Sequence, residues 1–330
     1  MFPGLTSVAS VVSVRMLAAI ALASFAAAAQ AQAPAAKWPE KPVHMIVPFP
    51  AGGPLDVVAR LFAVPMAERL GQPFLVENRP GAAGNLGMEV AAKAPPDGHT
   101  ILWSLDSMLT VNPIVYKTEP LERLRPVAMV TENTAVLVVS PRVKAATTSE
   151  FSKLSLASDF SYSSAGVGSP GHRQMELFKL MSGARVTHVP YSGNAPAVQS
   201  VVAGETQAFI TPIAGALQQI RAGRLRALAV TSAQRSALLP DVPTMVESGY
   251  PRFVVVSWFC VMVPIKTPQP IVEALERELS RIVQLPSMRE AMTKAGQDPI
   301  FETAKPLVAR ATEERKLWAE VIEKTGMKLE

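Results

Sequence analysis

Residues 46–60 read IVPFPAGGPLDVVAR. The run up to Phe49 is the end of an apolar strand, Gly52 and Gly53 make a turn, and Pro54 stands where a helix opens. Proline suits that first helical position, because its missing N–H has no partner there anyway. A glycine pair lets backbone approach a ligand closely, and a helix start presents unpaired N–H groups with partial positive charge. The unit therefore reads as strand, turn and helix, with the N–H groups around Ala51, Gly52 and Gly53 able to receive an anion such as a carboxylate. Asp56 repels an anion, so its place is in capping the helix start or fixing water. A tight turn with no ligand has the same letters, and one such unit decides nothing alone.

The device recurs. Residues 162–178, YSSAGVGSPGHRQMELF, run from a strand into a helix opened by Pro170, with Ser169 as N-cap. Ser163, Ser164 and Ser169 add hydroxyls, Gly166 and Gly168 permit close approach, and His172 lies just inside the helix. A third loop, HVPYSGNAPAVQ (188–199), brings Tyr191, Ser192 and Gly193; a fourth, NRPGAAGNLG (78–87), brings Arg79 and Asn85. SLDSMLTVNP (104–113) sets Ser104 and Asp106 at a strand end. Two glycine loops facing each other across a cleft would hold the two ends of a dicarboxylate.

Twenty-nine prolines and nineteen glycines cut the chain into short strand–turn–helix units, the pattern of an α/β protein with mostly parallel sheets. The units run to about residue 104, and restart at Phe160. VAMVTENTAVLVVS (127–140) and SWFCVMV (257–263) are strongly apolar and read as crossings between the two sets. The expected organisation is domain I over 38–134 and 255–330, domain II over 135–254, and two hinge strands. Pro65 is expected to kink or end the first helix, and the tail helices to pack on domain I.

Before residue 34 the one charged residue is Arg15, followed by an alanine-rich apolar run and Ala29-Gln30-Ala31. This predicts an export signal over residues 1–31, removed near Ala31 or Ala33, and a periplasmic protein. A single cysteine, Cys260, allows no internal disulfide. The formal charge of +5 is scattered, which gives nucleic-acid binding no patch to use. There is no metal-spaced His/Cys cluster, G-x-S-x-G or phosphate loop, and the four histidines show no pairing that suggests a relay. No cofactor, metal or catalytic residue is expected.

These pieces together resemble one family. Pro48, Phe49, Gly52, Gly53, Asp56, Ala59 and Arg60, the run Asn78–Gly87, Pro96–Thr100, Gly168-Ser169 with His172, His188–Gly193, Leu225–Ser232 and Asp241–Thr244 match the pattern of substrate-binding proteins of tripartite tricarboxylate transporters, the Bordetella uptake gene family. The resemblance implies a type II periplasmic-binding-protein fold without cofactor or catalysis, and a monomer is expected. It implies capture of a tricarboxylate, dicarboxylate or aromatic acid between the domains, and delivery to a two-component membrane permease. The loops at Phe49–Gly53 and Ser163–Ser169 would grip the carboxylates. Three positions depart from the pattern: Leu55 stands where threonine is usual, Arg173 where leucine is usual, and Asp106 in a segment usually of small residues. Two other readings stay open: a sensor that presents organic acids to a signalling partner, and an exported hydrolase using Ser164 or Ser169.

Overall fold

In the computed structural model, which describes residues 38–327, residues 46–60 fold as their letters dictate. β1 (Val43–Val47) ends in the glycine turn, and α1 (Pro54–Leu70) follows, burying Leu55, Val58, Ala59, Phe62 and Met66. The helix does not stop at Pro65. It runs on to Gly71, whose left-handed φ of 75° closes it. Phe62 and Met66, 0% and 1% exposed, anchor the helix on both sides of the proline, and that burial outweighs one lost hydrogen bond. The expected signal segment, 1–31, lies outside the described residues.

The chain continues through β2 (Phe74–Asn78), α2 (Asn85–Lys93), β3 (Thr100–Leu105), the short helices α3 (Asp106–Thr110) and α4 (Asn112–Val115), and β4 (Leu124–Asn133). Across Thr134 it enters a second sheet with β5 (Ala135–Val139), α5 (Thr148–Ser155), β6 (Phe160–Ser164), α6 (Pro170–Ser182), β7 (Val186–Pro190) and α7 (Asn194–Ala203). β8 (Ala208–Pro212), α8 (Ile213–Arg221) and β9 (Arg226–Val230) complete that set. The return strand β10 (Ser257–Pro264) leads to α9 (Gln269–Gln284), α10 (Pro286–Lys294), β11 (Asp298–Thr303) and the long α11 (Ala304–Thr325).

Two sheets result, ordered β11-β4-β10-β3-β1-β2 and β7-β6-β8-β5-β9. Both belong to the single unit that begins at Lys41, and we call them the first and second lobes. Both sheets are mixed. Where helices link successive strands the pairing is parallel: β1 with β2 and β3, β6 with β7 and β8. Strands that arrive from the other lobe, or return along an edge, pair antiparallel: β10 with β3 and β4, β5 with β8 and β9, β11 with β4.

The crossings run side by side, with Ser257 opposite Asn133. Thr134 donates its hydroxyl to Asp298 Oδ2 at 2.9 Å. Just beyond it, Ala135 N–H donates to Thr231 Oγ1 at 3.1 Å, and Thr231 carbonyl accepts from Val255 N–H at 3.1 Å.

α11 departs from the expectation that the tail packs on the first lobe alone. Leu307 and Ala311 join the apolar core of the first lobe with Leu102, Met129 and Trp258. About two to three turns later, Trp318 and Val321 sit in the second lobe's core with Tyr162, Met175 and Phe178. The reason is length: 22 residues at about 1.5 Å each outreach one lobe's face. Replacing Trp318, 3% exposed, by alanine is expected to lower unfolding stability by about 3–5 kcal/mol, measured by urea denaturation.

Candidate functional site

Between the lobes lies a cavity of about 390 Å³. The first lobe contributes Phe49, Pro50, Gly53, Pro54 and Leu55 from the quoted turn, Leu105 from the end of β3, and Phe259 from β10. The second contributes Ala165, Ser169, Pro170, Gly171 and Gln174 around the start of α6, Asn194 at the start of α7, and Pro212 before α8. Asn133, Ala135 and Ser257 of the crossing strands also line it.

Five helices begin at this cavity. Gly53, Leu105, Ser169, Gly193 and Pro212 are the N-caps of α1, α3, α6, α7 and α8, and four of those caps line the wall, with Asn194 beside the fifth. First-turn N–H groups have no partner within their own helix, so the wall is rich in backbone donors and helix-end partial charge. Among the described residues, no lining side chain is charged. Asn133 and Gln174 are occupied, donating to Gly296 and Val255 carbonyls at 3.2 Å each. α6 can come this close because Gly171 has no side chain: a Cβ there would lie 2.3 Å from the Ile210 carbonyl oxygen.

The structure distributes the sequence-derived candidates unevenly. Phe49, Gly53 and Ser169 line the cavity; the others named above do not. Gly52 N–H is spent on Asp56 Oδ2 at 2.9 Å, and Asp56 also accepts from Arg60 Nε at 3.0 Å and Asn78 Nδ2 at 2.9 Å. Burial works against that carboxylate, but those bonds hold it below its ordinary range. Asp56 is thus the staple of the turn, with Ala51 on its exposed rim. Asn85 Oδ1 accepts from Asn112 Nδ2 at 2.9 Å, bracing the loop before α2. Ser104 is wholly buried beside Cys260, whose thiol burial pushes up. Arg79 pairs at the surface with Glu77 at 2.8 Å.

In the second lobe, Ser163 donates to Ala197 carbonyl at 2.9 Å. Ser169 caps α6 with a weak bond from His172 N–H at 3.5 Å, and Gly168 N–H donates to His172 Nδ1 at 3.0 Å. Gly166, at φ 124°, and Gly193, at φ 150°, shape their turns. Tyr191 reaches Glu205 at 3.5 Å, and Ser192 is exposed.

The histidines do pair, contrary to the sequence reading. His172 and His188 stack with ring centroids 3.9 Å apart and planes 6° apart. Parallel pairing sets His188 opposite Tyr162, and α6 returns His172 over both, a meeting no local motif announces. His188 Nε2 lies 2.6 Å from Ser164 Oγ, and Ser164 is 0% exposed. Burial, with His188 adjacent, holds His172 down to about 4.

Asp106 and Arg173 meet as well. Asp106, just past Leu105 in the first lobe, accepts from Arg173 Nη2 in the second at 3.2 Å, with side chains 4% and 2% exposed. The guanidinium lies over Trp318, 4.9 Å from its ring centroid. Burial pushes Asp106 up while Arg173 pulls against it. On α11, Glu314 accepts from Trp258 Nε1 at 3.0 Å and Arg310 Nε at 2.9 Å. Burial, with Asp106 nearby, carries Glu314 to about 7.

Sequence reasoning found the glycine turns but passed over Leu105, Pro212, Asn194, Ser257 and Phe259. The rule that ligands sit at strand carboxyl ends points to Leu105 and Pro212. Ser257 and Phe259 have no signal, since they enter from the return crossing.

Residues 58–327 match the family model described as tripartite tricarboxylate transporter family receptor. Protein BugT of Bordetella pertussis is 38% identical over 323 residues, spanning 96% of this chain and 98% of that protein. Two solved structures are similar over nearly their whole length. R. palustris Rpa4515 with adipate has 30% identity and TM-score 0.74, covering 88% of this chain and 99% of that one. MatC from Rhodopseudomonas palustris with bound malate has 31% identity and TM-score 0.69, covering 86% and 100%.

Two outcomes test the buried groups. Arg173→Leu leaves Asp106 unpaired and should cost about 3–5 kcal/mol, whereas Asp106→Ala with Arg173→Leu should recover most of it, in urea titrations of all four members of the cycle. The second concerns pH. His172 stays neutral when folded while an unfolded histidine takes a proton below about 6.5, so its contribution to stability is lost as pH falls from about 6.5 towards 4. The stability difference between wild type and His172→Gln should therefore change over that window and be flat above it.

Proposed function

We propose that this chain, which belongs to the tripartite tricarboxylate transporter receptor family, captures a small carboxylic acid in the cavity between its two lobes. The observation that carries this reading is the gathering of five helix starts at one uncharged cavity wall. Such a wall binds an anion through fixed N–H dipoles and releases it without breaking an ion pair. A volume of about 390 Å³ suits a metabolite-sized ligand. Adipate and malate in two structural relatives support the ligand class.

On this reading the protein is exported to the periplasm and works as a monomer without a cofactor. It hands its acid to the two-component permease that the family name implies. It is a receptor and not an enzyme. Ser164 has a histidine at hydrogen-bond distance, but it is sealed from the cavity. Ser169 Oγ accepts from His172 N–H as the cap of α6, and among the described residues no side-chain base stands at hydrogen-bond distance from it.

Thermal unfolding of the mature chain, refolded from denaturant to strip carried-over ligand, tests the proposal against a panel of mono-, di- and tricarboxylic acids. An acid at 100 times its Kd should add about 2.7 kcal/mol, a shift of several degrees. A panel that leaves the midpoint unmoved, or a product released from esters by wild type but not by Ser164→Ala, would refute it.

A further inference from the structure

The two walls of the cavity differ in kind. The first lobe supplies the bulky apolar side chains, Phe49, Leu55, Leu105 and Phe259. The second presents small or polar residues at the starts of α6, α7 and α8. The helix ends differ in the same sense. α1 and α3, in the first lobe, each carry an aspartate in the first turn, Asp56 and Asp106, whose carboxylates take up backbone N–H groups there, those of Gly52 and Ser107. α6, α7 and α8 carry no acidic residue in theirs. Bonded to Asp56, the Gly52 N–H of the quoted turn is lost to a ligand.

We infer that the preferred ligand is a monocarboxylic acid with an apolar body, bound with its carboxylate toward the second lobe and its body against the first. This rests on the carboxylate reading above and narrows it. A second carboxylate at the far end of the ligand would be desolvated against Phe49, Leu55, Leu105 and Phe259, with no cation among the described lining residues. A methyl group or ring edge in the same place gains by burial. Leu55 is the residue of the quoted turn that makes this wall apolar at the helix start itself. Asn194 and Ser257 are polar lining residues whose side chains hold no other described group, and they stand ready to contact a head group.

Hexanoate and adipate make the decisive pair, because they share chain length and differ by a methyl group against a carboxylate. Calorimetric titration of the refolded mature chain should give hexanoate, and benzoate with it, a Kd about tenfold or more below those of adipate, malate and citrate. Asn194→Asp places a negative charge at the proposed head-group end and should weaken hexanoate about tenfold. That side chain is exposed, and an acidic residue favours a helix start, so the variant keeps its fold, as an unchanged urea midpoint will confirm. Adipate or citrate binding as tightly as hexanoate overturns this inference and leaves the carboxylate reading intact. Hexanoate binding unchanged in Asn194→Asp overturns the orientation. Failure of every acid to bind overturns both readings.

Discussion

A strand that must be followed by a parallel neighbour has to send the chain back along a helix, and that return places every helix start at the same edge of the sheet. The rest of this molecule depends on that constraint. In each lobe it collects glycine turns, N-caps and unpaired N–H groups along one edge, and the side-by-side crossings turn the two edges toward each other. The cavity wall is then made of backbone, and its chemistry is set by which residues occupy the first turns. Antiparallel crossing strands complete the arrangement, because they bring Asn133, Ala135, Ser257 and Phe259 to the floor between the lobes.

Behind that floor, the protein concentrates buried charge. Asp106 and Arg173 are partners across the lobes, both almost wholly buried. Either residue alone would bury an uncompensated charge; together they also fix Leu105 on one wall relative to Gln174 on the other, since each ion-pair member adjoins a lining residue. Trp318 roofs the guanidinium, and Glu314 and Arg310 continue the network along α11. Leu55 lies on the cavity itself.

Much of the fold was legible because glycine, proline and apolar runs mark turns and strands without reference to anything distant. The units 46–60 and 162–178 reveal themselves locally, and so does the pair of crossings. What stayed hidden depends on non-local packing. Pro65 within α1 is tolerated only because Phe62 and Met66 are buried. The stack of His172 on His188 needs strand register, and the embrace of Asp106 by Arg173 needs both lobes. The glycine loops lie at the sheet edges that border the cavity, but several of their candidates turned inward to hold the loops. Asp56, Ser163 and Ser164 spend their polar atoms on neighbours. A sequence shows which residues are able to donate; only the fold shows which are still free to.

The helix α11 adds a mechanical consequence. Two adjacent strands are therefore not the lobes' only tie. The helix is seated in both hydrophobic cores, with Leu307 in one and Trp318 in the other, so any displacement of one lobe against the other must draw apolar side chains at one end of the rod across their packing.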